Sequence, residues 1–405
     1  MLREKPNFLV DQRGRKGYLK KQYRTFRLHG GAYTFQVSGL GRKLKDAPPP
    51  IAAAMGEPNE VWRLYESELA DFRSSVGPEY VPTPFVFPLI GKQRFGDFTS
   101  RAGQNDFRRA RLRLSEGDFK FARPAQELRR FADLAQILRF PKSEECACLR
   151  NLRVNHGQFE FEIGPAPYEE VFATMNSQGL RFDVTKEQVA AAGIFWGKRG
   201  QRELSALANR LRRRYGSVTV REVLYRRCKG LPRFGEPVCS YVLGAAAVIT
   251  TRDGYAVFGR RAKRIVSLNL GVNVPTSGGF RFDRRQLVSL GFPRFVEYEI
   301  LREVEEEIGI TGSDCSVTVL AFVREVWRAG SPEILAAVEF YGTFKELLNL
   351  MRGNQHQEQD VDLVYAISLE AARKLIREPD AGKALQPKAL VTLIMLDRHL
   401  RNGLA

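Results

Sequence analysis

Residues 294–310 read RFVEYEILREVEEEIGI. On a helix, Glu303, Glu306 and Glu307 stand at i, i+3 and i+4, and Glu299 lies one turn earlier on the same face. Four like charges placed this way repel one another and destabilise the helix. A cation offsets that cost, and carboxylate oxygens suit hard Mg²⁺ or Mn²⁺ rather than a soft metal. Arg302 precedes Glu306 by four residues and is placed to pair with it and fix its rotamer. A bare E-x-x-E-E is usually a solvated acidic face. Here Val296, Ile300, Val304 and Ile308 recur four apart as a buried stripe, and Gly309-Ile310 ends the helix as a glycine cap with an apolar anchor.

The elements around this helix follow from pattern. Residues 240–251 form an apolar strand, Arg252-Asp253-Gly254 a turn, and 255–259 the returning strand, closed by Arg260 and Arg261. Gly278-Gly279-Phe280 reads as a glycine turn. Strands are expected at 316–323, 333–344 and 361–367, with helices at 368–377 and 386–401. This alternation predicts an α/β sandwich with a mixed sheet over residues 237–405. Upstream, helices are expected at 58–74, 124–139 and 200–215, and two strands around Asn155-His156-Gly157. We read 1–145 as a basic α+β region of unassigned function and 146–236 as a strand and helix extension packing on the C-terminal domain.

The chain has 405 residues, 43% of them apolar, which suggests two or three domains and excludes disorder throughout. Its longest apolar run, 241–249, is far short of the roughly 20 residues that cross a bilayer. The first residues lack an apolar stretch of signal-peptide length, so we expect a soluble cytoplasmic protein. The formal charge is +18 and unevenly spread. Residues 1–240 hold 43 Lys+Arg against 26 Asp+Glu, and 241–405 hold 21 against 20. A basic part favours anionic partners, nucleic acid among them. Tyr18, Tyr23, Phe26, Tyr33 and Phe35 interleave with Lys20, Lys21, Arg24, Arg27, Arg42 and Lys43. Such a segment could stack bases and meet phosphates, or be two strands with a basic outer face. Arg108, Arg109, Arg111 and Arg113 precede the helix at 124–139, and Arg212, Arg213 and Arg214 form a further run. The five cysteines are no disulfide framework, and Cys146-x-Cys148 lacks a second pair at zinc spacing, so it reads as two small buried thiols.

Residues 302–310 match the second half of the Nudix box, R-E-U-x-E-E-x-G-U with U a bulky apolar residue, at every fixed position. The hairpin ending in Gly259-Arg260-Arg261, Gly278-Gly279, and the later ISLEAARKLI at 367–376 extend the likeness over about residues 240–380. The chain thus resembles the Nudix hydrolases. The family pattern places a Gly 14 residues and a Glu eight residues before the Arg; here those positions hold Val288 and Arg294. Gly279 lies 23 residues before Arg302, which reads as an insertion of about nine residues in the loop around RFDRRQLVSLGF, with Glu297 or Glu299 standing in for the Glu. The resemblance implies a Nudix-type α/β/α sandwich and Mg²⁺- or Mn²⁺-dependent hydrolysis of a nucleoside diphosphate linked to another group. It further implies that Glu303, Glu306 and Glu307 hold the metal and that Arg302 orients them. Arg260, Arg261, Gly278 and Gly279 would then meet substrate, and a base would come from Glu358, Asp360, Asp362 or Glu333. Members of this family often form homodimers. Two alternatives stand beside this reading: a Nudix-fold module that binds a nucleotide without cleaving it, and an enzyme directed at capped RNA ends.

Overall fold

The protein is described here by a computed structural model covering residues 22–39, 58–90, 93–115, 123–135, 145–155, 158–167, 170, 172–261, 272–353 and 361–403. The strands in chain order are β1 Gln22–Leu28, β2 Gly31–Gly39, β3 Phe85–Val86, β4 Leu89–Ile90, β5 Gln93–Arg94, β6 Arg111–Leu114, β7 Glu145–Asn155 and β8 Gln158–Pro167. They continue as β9 Gly244–Thr251, β10 Tyr255–Arg261, β11 Thr276–Gly279, β12 Cys315–Glu325, β13 Ser331–Phe340 and β14 Val361–Ser368.

Nine strands make one mixed sheet in the order β1-β2-β14-β10-β9-β13-β12-β3, with β11 also paired to β9. Only the β9–β13 pair in this sheet is parallel; the other described pairs run antiparallel. Strands β6, β8 and β7 form a second sheet, joined to the first through bridges from Cys146 to Arg281 and from Cys148 to Val242. The period-2 alternation of β9 separates two cores. Ala245, Ala247 and Ile249 join the core that holds Val296, Ile300 and Val304 of the helix Arg284–Ile308. Ala246 and Val248 join the core under the C-terminal helix Pro387–Arg401. Helices thus cover both faces, which is the α/β sandwich the sequence pattern predicted.

The N-terminal hairpin extends this sheet through β2 and β14. Its aromatics serve packing. Phe35 and Tyr33 are buried in the second core, and the Phe26 ring meets Phe35 edge-on at 5.5 Å. Of the described aromatics in the basic N-terminal segment, Tyr23 alone stands well out, 61% exposed. The strand reading therefore holds for the described residues; Tyr18, Lys20, Lys21, Arg42 and Lys43 lie outside them. Glu378 ties the hairpin down, accepting from Gly30 N at 2.7 Å and from the Tyr33 hydroxyl.

Two expectations change near the box. Gly278 and Gly279 are extended and pair with β9 rather than forming a turn. The stretch around RFDRRQLVSLGF is helical rather than a loop. Asp283 caps it, accepting from Arg285 N and Gln286 N, and the helix then breaks at Gly291, whose φ of 69° is left-handed. Pro293 is tolerated because it falls in the first turn after that break, where its missing N–H is no loss.

On the second face, Asp397 has a fully buried carboxylate. It accepts from Arg373 at 2.5 Å, Arg377 at 2.5 Å and the Tyr80 hydroxyl at 2.8 Å, with Arg401 at 3.0 Å. Burial pushes this carboxyl up, but Arg373, Tyr80, Arg377 and Arg401 outweigh it and hold it below its ordinary value. Burial and the Asp397 bond push Tyr80 up to about 12. A depressed carboxyl contributes stability that is present above its unfolded pKa and is lost as pH falls through its folded pKa. Asp397→Asn is therefore expected to destabilise the protein by about 3 kcal/mol at neutral pH. In chemical denaturation followed against pH, the gap to the unsubstituted protein should shrink below the ordinary aspartate range; a gap independent of pH would contradict this assignment.

Candidate functional site

The helix Arg284–Ile308 lays Val296, Ile300, Val304 and Ile308 into the first core, each at most 1% exposed, so its carboxylate face is fixed in direction. Gly309 ends the helix in the left-handed conformation, φ 88°, with its N–H on Val304 O and Glu305 O, and Ile310 is buried behind it. Both features match the sequence expectation.

Arg302 sits at the centre of the carboxylates. Its guanidinium donates to Glu299 Oε2 at 3.0 Å, Glu303 Oε1 at 2.6 Å and Glu306 Oε2 at 2.6 Å. Its side chain is 12% exposed, against 2% for Glu299, 14% for Glu303 and 42% for Glu306. Burial alone would pull this guanidinium down. The Glu299 hydrogen bond and the charges of Glu303, Glu299 and Glu306 outweigh burial and push it above the ordinary arginine value. Glu299 also accepts from Arg281 N at 2.9 Å, so one buried carboxylate joins the helix to the chain leaving β11. The Arg281 guanidinium reaches Glu306 at 3.3 Å.

Strand β11 lies directly against these groups. Glu307 Oε2 accepts from Ser277 N at 3.2 Å. A Cβ added to Gly278 would lie 2.2 Å from Glu303 Oε2, and one on Gly279 would lie 3.3 Å from a Val242 methyl. Gly278 thus leaves the space that Glu303 fills. The structure brings Arg302, Glu303, Glu306, Glu307 and Gly278 together as the sequence predicted. It adds Glu299 as their buried anchor and Arg281, which the sequence reading missed. The only signal for Arg281 was its place two residues after the glycine pair.

The remaining candidates fall elsewhere. Arg260 is the penultimate residue of β10 and is exposed; Arg261 is its last residue. Arg294 and Glu297 are exposed on the helix, so Glu299 and not Glu297 occupies the buried position beside Arg302. Glu333 is 1% exposed on β13. It holds Lys388 of the C-terminal helix at 2.8 Å and so faces the other side of the sheet. Glu325 lies 3.9 Å from the same lysine. Burial, reinforced by Glu333, pushes the Glu325 carboxyl up against the opposing pull of Lys388 and Arg328. Glu358 and Asp360 lie outside the described residues; Asp362 is in β14. Cys146 and Cys148 are buried in β7, and burial raises the Cys148 thiol. Neither belongs to a metal-binding cluster among the described residues.

Among the described residues no group of three or more His, Cys, Asp or Glu side chains is arranged to hold a metal ion. The chemistry of the donors nevertheless suits a hard cation: all are carboxylate oxygens on one helix face, gathered at a strand whose glycine leaves room for Glu303. Outside them, Arg302, Glu305, Glu306, Thr311, Glu346 and Asn349 line a cleft of about 950 Å³ that separates the helix end from the helix Phe344–Gly353. No described helix is long and apolar enough to cross a membrane.

No family model and no curated protein matches the chain. Among solved structures, the crystal structure of DR0079 from Deinococcus radiodurans is similar at 16% identity, over 38% of this chain and 82% of that one, with a TM-score of 0.26.

Removing Arg302 while keeping Glu299 leaves a buried carboxylate without its cation. Arg302→Met should therefore cost about 3–5 kcal/mol in chemical denaturation. Adding Glu299→Gln to the same chain should recover part of that loss, because the orphaned charge is gone. A double variant less stable than Arg302→Met would show that Glu299 does not depend on Arg302.

Proposed function

We propose that this protein is a Mg²⁺- or Mn²⁺-dependent hydrolase that cleaves the diphosphate linkage of a nucleoside diphosphate joined to another group. The observation that carries the reading is the constellation at Ser277-Gly278, where Glu303 and Glu307 meet β11 and Arg302 holds Glu299, Glu303 and Glu306. Together with the match of residues 302–310 to the Nudix box, it supports hydrolysis over a solvated acidic face. A merely solvated face would not bury Glu299 beside Arg302 or set the Glu303 carboxylate against Gly278 of a strand.

Glu303, Glu306 and Glu307 would hold the divalent ion, which supplies charge neutralisation at the bridging phosphates and a lowered pKa for water. The chain's own groups supply position. Glu299 fixes Arg302, and Arg302 fixes the rotamers of Glu303 and Glu306. Arg281, held through its N–H by Glu299, presents its guanidinium beside Glu306. Arg281 is thereby a cation on the edge of the carboxylate cluster, of the type that meets phosphate oxygens. Lys388 already neutralises Glu333 on the far face, so we assign Glu333 no proton transfer.

The test is turnover of a panel of nucleoside diphosphate derivatives with Mg²⁺ and then Mn²⁺, reading phosphate released after a phosphatase step. At least one member should turn over, and Glu306→Gln should lower kcat by on the order of 100-fold without lowering the melting temperature. Silence with both metals, alongside thermal stabilisation by a nucleotide, would replace this reading with that of a binding module.

A further inference from the structure

The long helix Lys186–Tyr215 belongs to no part of the site above. It breaks at Gly197, φ 68°, and its second segment buries Leu204, Leu207, Ala208 and Leu211 in the first core. With 3.6 residues per turn, Arg199, Arg202, Arg210 and Arg213 fall together on the opposite side, with Ala206 and Asn209 between them. All four arginines are exposed. From first to last the stripe runs about 21 Å.

Little offsets this charge. Residues 198–214 hold seven Lys+Arg and one acid, Glu203, and Arg130 of the neighbouring helix Arg123–Ala135 already binds Glu203 at 2.7 and 2.9 Å. Glu127 is shared between Arg210 and Arg214 at 3.8 Å each, and Asp183 lies 3.7 Å from Arg212. Among the described residues no ion pair involves Arg202 or Arg213.

We propose that this stripe binds the phosphodiester backbone of a nucleic acid. Six of the seven cations are arginine, whose planar guanidinium takes phosphate oxygens in pairs. The pairs Arg199/Arg202 and Arg210/Arg213 are about 16 Å apart along the axis, a reach that takes in several successive phosphates. A membrane surface suits the helix less well. A helix lying on lipid inserts its apolar face, and here that face is already buried in the core. Contacts to phosphate carry no base information, so RNA and DNA of equal length bind alike.

The test uses the full chain and end-labelled single-stranded RNA and DNA of about 16 nucleotides. Binding is read by fluorescence anisotropy as salt rises from about 50 to 200 mM. The unsubstituted protein should bind both, with affinity falling steeply as salt rises. Replacing Arg199, Arg202, Arg210 and Arg213 by Gln should reduce the slope of log affinity against log salt by about 3, from four lost contacts. Arg24→Gln/Arg27→Gln, which removes from the N-terminal hairpin as many cations as either pair of the stripe holds, should leave the slope unchanged. If the fourfold variant melts early, the pairs Arg199→Gln/Arg202→Gln and Arg210→Gln/Arg213→Gln are compared separately, each expected to lower the slope by about 1.4. An unchanged slope in these variants overturns the proposal, as does loss through the hairpin variant instead. Binding to phosphatidylserine vesicles or polyglutamate without binding to either oligonucleotide overturns it as well.

Discussion

A helix that places Glu299, Glu303, Glu306 and Glu307 on one side holds together only if something neutralises them, and Arg302 does so for three of the four. The rest of the site depends on that pairing. Glu299 tolerates burial because the guanidinium is there, and once buried it can also accept from Arg281 N and hold the chain leaving β11 against the helix. That contact fixes where Ser277 and Gly278 lie. A Cβ at Gly278 would push the Glu303 carboxylate from where Arg302 holds it, so the glycine keeps that pairing in place. Charge, burial and the absence of a side chain are therefore one constraint, spread over residues 277–306.

The same device recurs on the other face of the sheet. Asp397 is buried only because Arg373, Arg377 and Arg401 surround it and Tyr80 donates to it. Glu333 is buried beside Lys388. Each links the C-terminal helix to a different part of the fold: Asp397 to Tyr80 and the segment before that helix, Glu333 to β13. Buried carboxylates with an excess of cations contribute less by net Coulomb energy than by excluding other arrangements, since any repacking that separates them leaves a bare charge in an apolar layer.

The C-terminal half was legible because periodicity and punctuation agree there. The stripe of Val296, Ile300, Val304 and Ile308, the cap at Gly309, and the hairpin at Arg252-Asp253-Gly254 are local signals, and each appears where the pattern placed it. What escaped was non-local. Gly278-Gly279 looked like a turn because glycine pairs usually are, but here they serve close approach between β9 and the acidic helix. The stretch before the box read as a loop because Gly279 lies 23 residues before Arg302, about nine more than the box pattern allows. Asp283 nevertheless caps a helix that runs to the break at Gly291. The aromatics at Phe26, Tyr33 and Phe35 left a stacking surface and a packed pair of strands both open, because sequence does not show which side of a hairpin meets another sheet strand.

Net charge is likewise a weaker guide than placement. At physiological ionic strength exposed charges more than about 8 Å apart are largely screened from one another. The excess of +18 therefore does not act as one field. Several of the N-terminal cations are engaged in pairs, as Arg94 is with Asp71 and Arg130 with Glu203. The long helix differs because its stripe exceeds the screening length while its arginines stand one turn apart in pairs. A polyanion with closely spaced charges can meet such a stripe contact by contact, whereas a small anion meets only one pair at a time.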